Sequence, residues 1–304
     1  MKVLLAVSGG IDSMYLANRR SELFPGADFA VAHCNFRLRG DESDGDEAFV
    51  RGWCRENGIE CHVTGFDTEA LASSKGISIE MAARELRYGW FAGLCEESGF
   101  DGVAVAHNAN DNAETLVLNL LRGAGTRGLR GMSEESVISG LRIFRPMLDI
   151  SRKEIEQWMR RKHCAWREDR TNAENEYKRN KIRNVVFPVF EEINPSFIRT
   201  LGRDMDHFAK SDDIAEDYYR SVLPSIRIEN PDGGYPGFNL KTLLAQKHWE
   251  YVLWRILEPY KLSEETFEKL TELLKSGRTV SGKVFQSPTH IIAIKRKLIT
   301  VTDR

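Results

Sequence analysis

Four short runs of this 304-residue chain, VLLAV (3–7), FAVAH (29–33), IECHV (59–63) and GVAVAH (102–107), are too apolar to be strands with one wet face. Longer segments of helical period separate and follow them, at 11–23, 43–57, 78–98 and 111–121. In the last of these, Ala113, Leu116, Val117, Leu120 and Leu121 recur at i, i+3, i+4, i+7 and i+8, the stripe of a helix laid on a sheet. Strands alternating with helices bury both faces of a parallel sheet. The first part of the chain is therefore expected to be α/β, a doubly wound parallel sheet of Rossmann-like form.

The second half is organised differently. Ser151 and Glu154 form an S-x-x-E capping box that opens a helix through about residue 163. From Arg152 to Arg183 there are eleven Lys or Arg against six Asp or Glu, in a chain whose formal net charge is -2. Such a run is either a solvated face or a surface for phosphates. Acidic residues then lead into NPDGGYPG (230–237), a loop of turn formers. Helical patterns at 241–258 and 263–275, and VSGKVF and HIIAIKRKLITV read as two strands, predict a smaller α+β C-terminal domain. The expected division is a first domain over 1–205 with its basic segment at 151–190, a linker over 206–236, and a small domain over 237–304.

Composition excludes several classes. Cys34, Cys54, Cys61, Cys95 and Cys164 form no CxxC pair and no Cys/His cluster at zinc spacing, so neither a disulfide scaffold nor a metal knuckle is favoured. The apolar part of MKVLLAV is too short for a signal-peptide core, and no segment has the length of a membrane span. A cytoplasmic protein is expected.

The chemistry begins where the first strand turns into the first helix. Ser8-Gly9-Gly10-Ile11-Asp12-Ser13 lets backbone N–H groups converge on an anion at a helix start, with two hydroxyls as further donors. It lacks the lysine of G-x-x-x-x-G-K-[ST] and the spacing of G-x-G-x-x-G. From the residues alone a tight turn capped by Ser8 is an equal alternative. The complete S-G-G-x-D-S resembles the pyrophosphate-binding loop of the N-type ATP pyrophosphatases, or PP-loop superfamily, of adenine nucleotide alpha hydrolase fold.

Three later blocks are similar to the tRNA(Ile)-lysidine synthetases of that superfamily. His33-Cys34-Asn35-Phe36-Arg37-Leu38-Arg39 resembles their His-x-Asn-His-Gly-Leu-Arg, with the second histidine and the glycine replaced. In residues 105–132, His107, Asp111, Glu114, Thr115, Arg122, Gly123, Gly125, Gly128, Leu129, Gly131 and Met132 fall on the family pattern, whereas Asn108 and Asn110 stand where histidine and aspartate are commoner. The third block includes Arg145, Pro146, Ser151, Arg152, Glu154, Trp166, Asp169, Thr171, Asn172, Arg179, Asn180, Ile182 and Arg183. The resemblance covers about residues 1–205.

It implies ligation of lysine to C2 of the wobble cytidine in a tRNA(Ile) with a CAU anticodon, through an adenylated RNA. By the resemblance, ATP lies on Ser8, Gly9, Gly10, Ile11, Asp12 and Ser13, with His33, Arg122 and Gly123. Asp12 and Asp111 hold Mg2+, and Asp12, Asp111 and Glu114 are catalytic. Arg127, Arg130, Arg145, Arg152, Arg179, Asn180 and Arg183 meet the tRNA. L-lysine is the second partner, a homodimer is a further expectation, and no membrane partner is expected. Read without the resemblance, Asp111 and Glu114 are an N-cap and its reciprocal partner. A thiolase-like enzyme of the same fold, or a non-catalytic RNA-binding protein, are the other readings.

Overall fold

The computed structural model describes residues 1–168, 177–230, 234–277 and 280–304. Its contacts divide the chain into two compact units, Met1–Ala209 and Lys210–Arg304. Among the described residues no helix is long and apolar enough to cross a membrane.

The first unit runs β1 (Lys2–Ala6), α1 (Ile11–Leu23), β2 (Asp28–Asn35), α2 (Asp41–Glu56), β3 (Glu60–Gly65), α3 (Thr68–Lys75), α4 (Ile79–Ser98), β4 (Gly102–Ala104), α5 (Ala109–Leu121), α6 (Thr126–Leu129), β5 (Glu135–Ile138), β6 (Leu141–Phe144) and α7 (Arg152–Arg161). Beyond residue 176 come α8 (Tyr177–Lys181), a π-helical turn (Ile182–Val186), α9 (Phe187–Ile193) and the start of α10 (Phe197–Ile226). The sheet order is β3-β2-β1-β4-β6-β5, parallel except for β5, which pairs antiparallel with β6. This is the doubly wound sheet that the alternation of apolar runs predicts.

Strand period explains why the central strands are so apolar. Val3 and Leu5 of β1 point to one face, where they join Met14 and Leu16 of α1, Val50 of α2, and Ile155 and Met159 of α7. Leu4 points to the other face, with Ala30, Ala32, Val103 and Ile143, against Phe91 and Leu94 of α4. All three β1 residues are fully buried. The chain leaves β1 for β2 on one side, and β4 lies on the other. The carboxyl end of β1 is thus a topological switch point, where such sheets bind ligands.

The second unit contains the rest of α10, then β7 (Arg227–Ile228), β8 (Gly237–Asn239), α11 (Leu240–Leu244), α12 (Trp249–Leu257), a 3-10 turn (Glu258–Tyr260), α13 (Glu264–Lys275), β9 (Val284–Gln286), β10 (His290–Lys295) and β11 (Leu298–Asp303). Its sheet, ordered β7-β8-β11-β10-β9, is wholly antiparallel, and helical residues Leu243, Val252, Leu253, Ile256 and Leu270 pack with Ile292, Ile294 and Ile299. It is the smaller α+β domain. HIIAIKRKLITV is two strands rather than one, because Arg296 and Lys297 take φ of 46° and 69° and close a two-residue hairpin at the Lys295–Leu298 pair. Ser139 and Gly140 close the β5–β6 hairpin in the same way. No Asn-Gly announces either turn.

Candidate functional site

The phosphate-loop residues lie where β1 ends and α1 begins. Gly9 takes φ of 96°, a conformation that a side chain would strain. Ser13 Oγ accepts from the N–H groups of Ser8 at 3.1 Å and Gly9 at 3.2 Å, and donates to the Gly10 carbonyl at 2.8 Å. Ser8 Oγ accepts from Gly10 N at 3.3 Å. One hydroxyl therefore ties the loop into a ring, and Gly10, the N-cap of α1, offers no side chain to the N–H groups of the first helical turn. Those N–H groups, together with the helix dipole, suit an anion. The loop borders a cleft of about 610 Å³ that also touches Cys34, Phe36, Arg87, His107, Arg152 and Trp166. That volume accommodates a nucleotide.

Three carboxylates gather beside this loop. Asp12 accepts at Oδ1 from Asn108 Nδ2 at 3.1 Å and at Oδ2 from Arg152 Nη1 at 2.5 Å. Burial raises its pKa, with Arg152 opposing and the nearby Asp111 carboxylate adding to the rise. Asp111 is not the N-cap of its helix. Asn108 is, with its Oδ1 accepting from Asn110 N at 2.9 Å and Asp111 N at 3.2 Å, while Asp111 Oδ2 accepts from Asn108 N at 3.0 Å. The helix starts two residues earlier than its apolar stripe suggests, because the cap needs a short side chain in extended backbone and Asn108 supplies both.

Glu114 is freed from the capping role expected of it. It is 0% exposed; its Oε1 accepts from Arg183 Nε at 2.7 Å, and its Oε2 has no partner. Burial raises its pKa, and Arg183 opposes the rise. Arg183, carried on the π-helical turn, also approaches Asp111 Oδ1 at 3.5 Å. His107 is buried with Nδ1 unpartnered, and burial pushes its pKa down to about 4, so it is a neutral ring at physiological pH.

The structure thus brings Ser8, Gly9, Gly10, Ile11, Asp12, Ser13, Asp111 and Glu114 together. It places other expected residues elsewhere. Arg122 and Gly123 follow the C-terminal end of α5, about 20 Å along the helix from its Asp111 end by helical rise, so they do not reach the loop. His33 is 3% exposed with Nδ1 bonded to the Val7 carbonyl at 2.9 Å, and it packs behind the loop rather than facing the cleft.

Arg145 is 7% exposed and donates from Nη1 to Ser133 O and Ser136 Oγ, each at 2.9 Å. A buried guanidinium spent on its own chain does not present itself to RNA phosphates. Arg152 and Arg183, expected at the tRNA, pair instead with the carboxylates. Arg127 and Arg130 belong to α6 and its C-cap, and Arg179 and Asn180 to α8. Asp169, Thr171 and Asn172 lie outside the described residues.

Sequence reasoning missed Asn108 and Asn110 as site residues. Asn110 Oδ1 accepts from Arg152 N at 3.0 Å, which joins the start of α7 to the start of α5. Their departure from the commoner family residues was the available signal. Among the described residues, no group of three or more His, Cys, Asp or Glu side chains could hold a metal. A divalent cation here would rest on the Asp12 and Asp111 pair, hard oxygen donors whose mutual repulsion it would relieve.

Comparisons with known proteins agree with this geometry. Residues 1–190 match the PP-loop domain, and residues 232–304 match the TilS substrate binding domain. A tRNA(Ile)-lysidine synthase of Porphyromonas gingivalis is 38% identical over 308 residues, 98% of this chain and 63% of that protein. One from Bacteroides thetaiotaomicron is 38% identical over 98% of this chain and 66% of its own length, and one from Chlorobaculum tepidum is 50% identical over 62% and 57%. The chain spans less than two thirds of these relatives' length. Among solved structures, the U34-tRNA thiolase NcsA of Methanococcus maripaludis shares the fold, with a TM-score of 0.57 and 18% identity over 69% of this chain and 73% of that one. The chain belongs to the PP-loop family, and within that family its similarity runs to the tRNA(Ile)-lysidine synthases.

Proposed function

We propose that the protein ligates L-lysine to C2 of the wobble cytidine of tRNA(Ile) bearing CAU, consuming ATP and releasing AMP and pyrophosphate. The observation that carries this reading is the juxtaposition of the Ser8–Ser13 loop with Asp12, Asp111 and Glu114, joined through Asn108 and Arg152.

A cytosine carbonyl is a poor electrophile until its oxygen becomes a leaving group, and adenylation makes it one. The first-turn N–H groups of α1 receive the phosphates. Asp12 and Asp111 are the residues that would hold Mg2+, which supplies charge neutralisation on the polyphosphate. Arg152 holds Asp12 from the other side and keeps it oriented between loop and helix. Lysine must lose a proton before its ε-amine attacks. Glu114 suits that task, since burial makes its carboxylate a stronger base and its Oε2 has no other partner. A second cavity of about 770 Å³, bordered by Asn110, Arg183, Glu134 and Asp149 and sharing Arg152 and Glu156 with the first, is adjacent to the cluster and is suited to an amino acid or an extruded base. Arg127, Arg130, Arg179 and Asn180 are assigned to the tRNA.

The decisive experiment incubates the protein with ATP, Mg2+, labelled lysine and unmodified tRNA(Ile) bearing CAU, then searches the digested RNA by mass spectrometry. A lysine–cytidine adduct that requires ATP and is lost in Asp12→Ala supports the reading. ATP cleavage with no adduct would point to another nucleophile.

A further inference from the structure

Residues 166–168 border the cleft, and Arg167 fastens them at two points. Its main-chain N–H donates to the Gly9 carbonyl at 2.9 Å. Its side chain reaches α2, where Nε donates to Asp46 Oδ1 at 2.8 Å. The other Asp46 oxygen accepts from Arg39 Nη2 at 2.7 Å, so a carboxylate only 13% exposed bridges two guanidinium groups.

Two glycines clear the way for this side chain. A Cβ on Gly45 would stand 2.9 Å from Arg167 Nη2, and one on Gly9 would stand 3.7 Å from Arg167 Cγ. The Gly9–Gly10 peptide is planar and trans. Fixing the Gly9 carbonyl toward Arg167 therefore turns the Gly10 N–H to the opposite side, where it meets Ser8 Oγ at 3.3 Å.

We propose that Arg167 is a positioning residue for the phosphate loop: through Asp46 it clamps the Gly9–Gly10 peptide to α2 and holds the loop amides in the orientation that receives ATP phosphates. This rests on the reading of the cleft as the ATP site. Arg167 touches no reacting atom, so its loss acts on nucleotide affinity and not on the chemical step.

The test titrates the full chain with a non-hydrolysable ATP analogue by calorimetry, without RNA, and measures KM and kcat for lysidine formation. In Arg167→Ala, analogue affinity falls about tenfold, the worth of a partly exposed charge-assisted bond. The KM for ATP rises in parallel, kcat at saturating ATP stays within about twofold, and Arg167→Lys recovers part of the affinity. Arg167→Ala adds nothing further in an Asp46→Ala background, since the clamp is already open. Wild-type binding with unchanged affinity in Arg167→Ala would overturn the clamp alone, as would a fall in kcat at constant KM. A wild-type chain that binds no analogue would overturn the clamp together with the ATP reading.

Discussion

Arg183→Met tests the carboxylate cluster most sharply. The substitution keeps most of the side-chain volume and removes the cation from Glu114, a fully buried carboxylate whose Oε1 then loses its 2.7 Å bond and whose Oε2 already has none. Removing one partner of a wholly buried pair costs about 3–5 kcal/mol. The Arg183 side chain is 43% exposed, so water already screens part of the interaction, and about 2 kcal/mol is expected. In a unit of this size that lowers Tm by about 4–8 °C.

The pH dependence follows from the direction of the shift. Burial already raises the folded pKa of Glu114 above its ordinary value near 4.5, and loss of the guanidinium raises it further. A raised carboxylate favours the folded state fully below its unfolded pKa, and that contribution is lost as pH rises through the folded value. The deficit of Arg183→Met is therefore largest at neutral pH and closes as pH falls toward 4.5. Urea unfolding of the wild type, Arg183→Met, Glu114→Gln and the double variant at two pH values measures it. The double variant recovers most of the lost stability, because a neutral amide has no charge to strand. A pH-independent deficit, or a double variant as unstable as the sum of its singles, would refute the assignment.

Asn108→Ala removes the cap of α5 and a donor to Asp12, so it costs about 1 kcal/mol in thermal unfolding and lowers lysidine formation more than that loss alone explains. Arg145→Gln destabilises the 133–136 segment by about 2 kcal/mol but leaves the salt dependence of tRNA binding unchanged; a flatter salt slope would return Arg145 to the RNA surface. Arg179→Glu weakens tRNA binding and flattens that slope by roughly one, with ATP-analogue affinity unaltered. Equal filter-binding curves at matched salt would remove Arg179 from the interface.

Local signals carried most of the architecture. Runs such as VLLAV are buried on both faces, and only a covered sheet satisfies that, so strand type, helix alternation and the place of the phosphate loop could be read from residue pattern. The Ser151–Glu154 capping box forms as spacing predicts, because both partners lie within one helical turn. The two hairpins at Ser139-Gly140 and Arg296-Lys297 escaped, since three of their four turn residues are not glycine and the pairing across the turn supplies what composition does not.

What sequence by itself determined is the doubly wound sheet, the loop at its switch point and the presence of acids and arginines in ordered motifs. Which acid meets which arginine was decided by tertiary structure alone. Asp12 and Arg152 are separated by 140 positions and Glu114 and Arg183 by 69, so no periodicity links them. Arg152 and Arg183 read as RNA contacts because a basic run normally faces solvent. Packing turned them inward to carboxylates whose charge, once buried, has to be met by an opposite one.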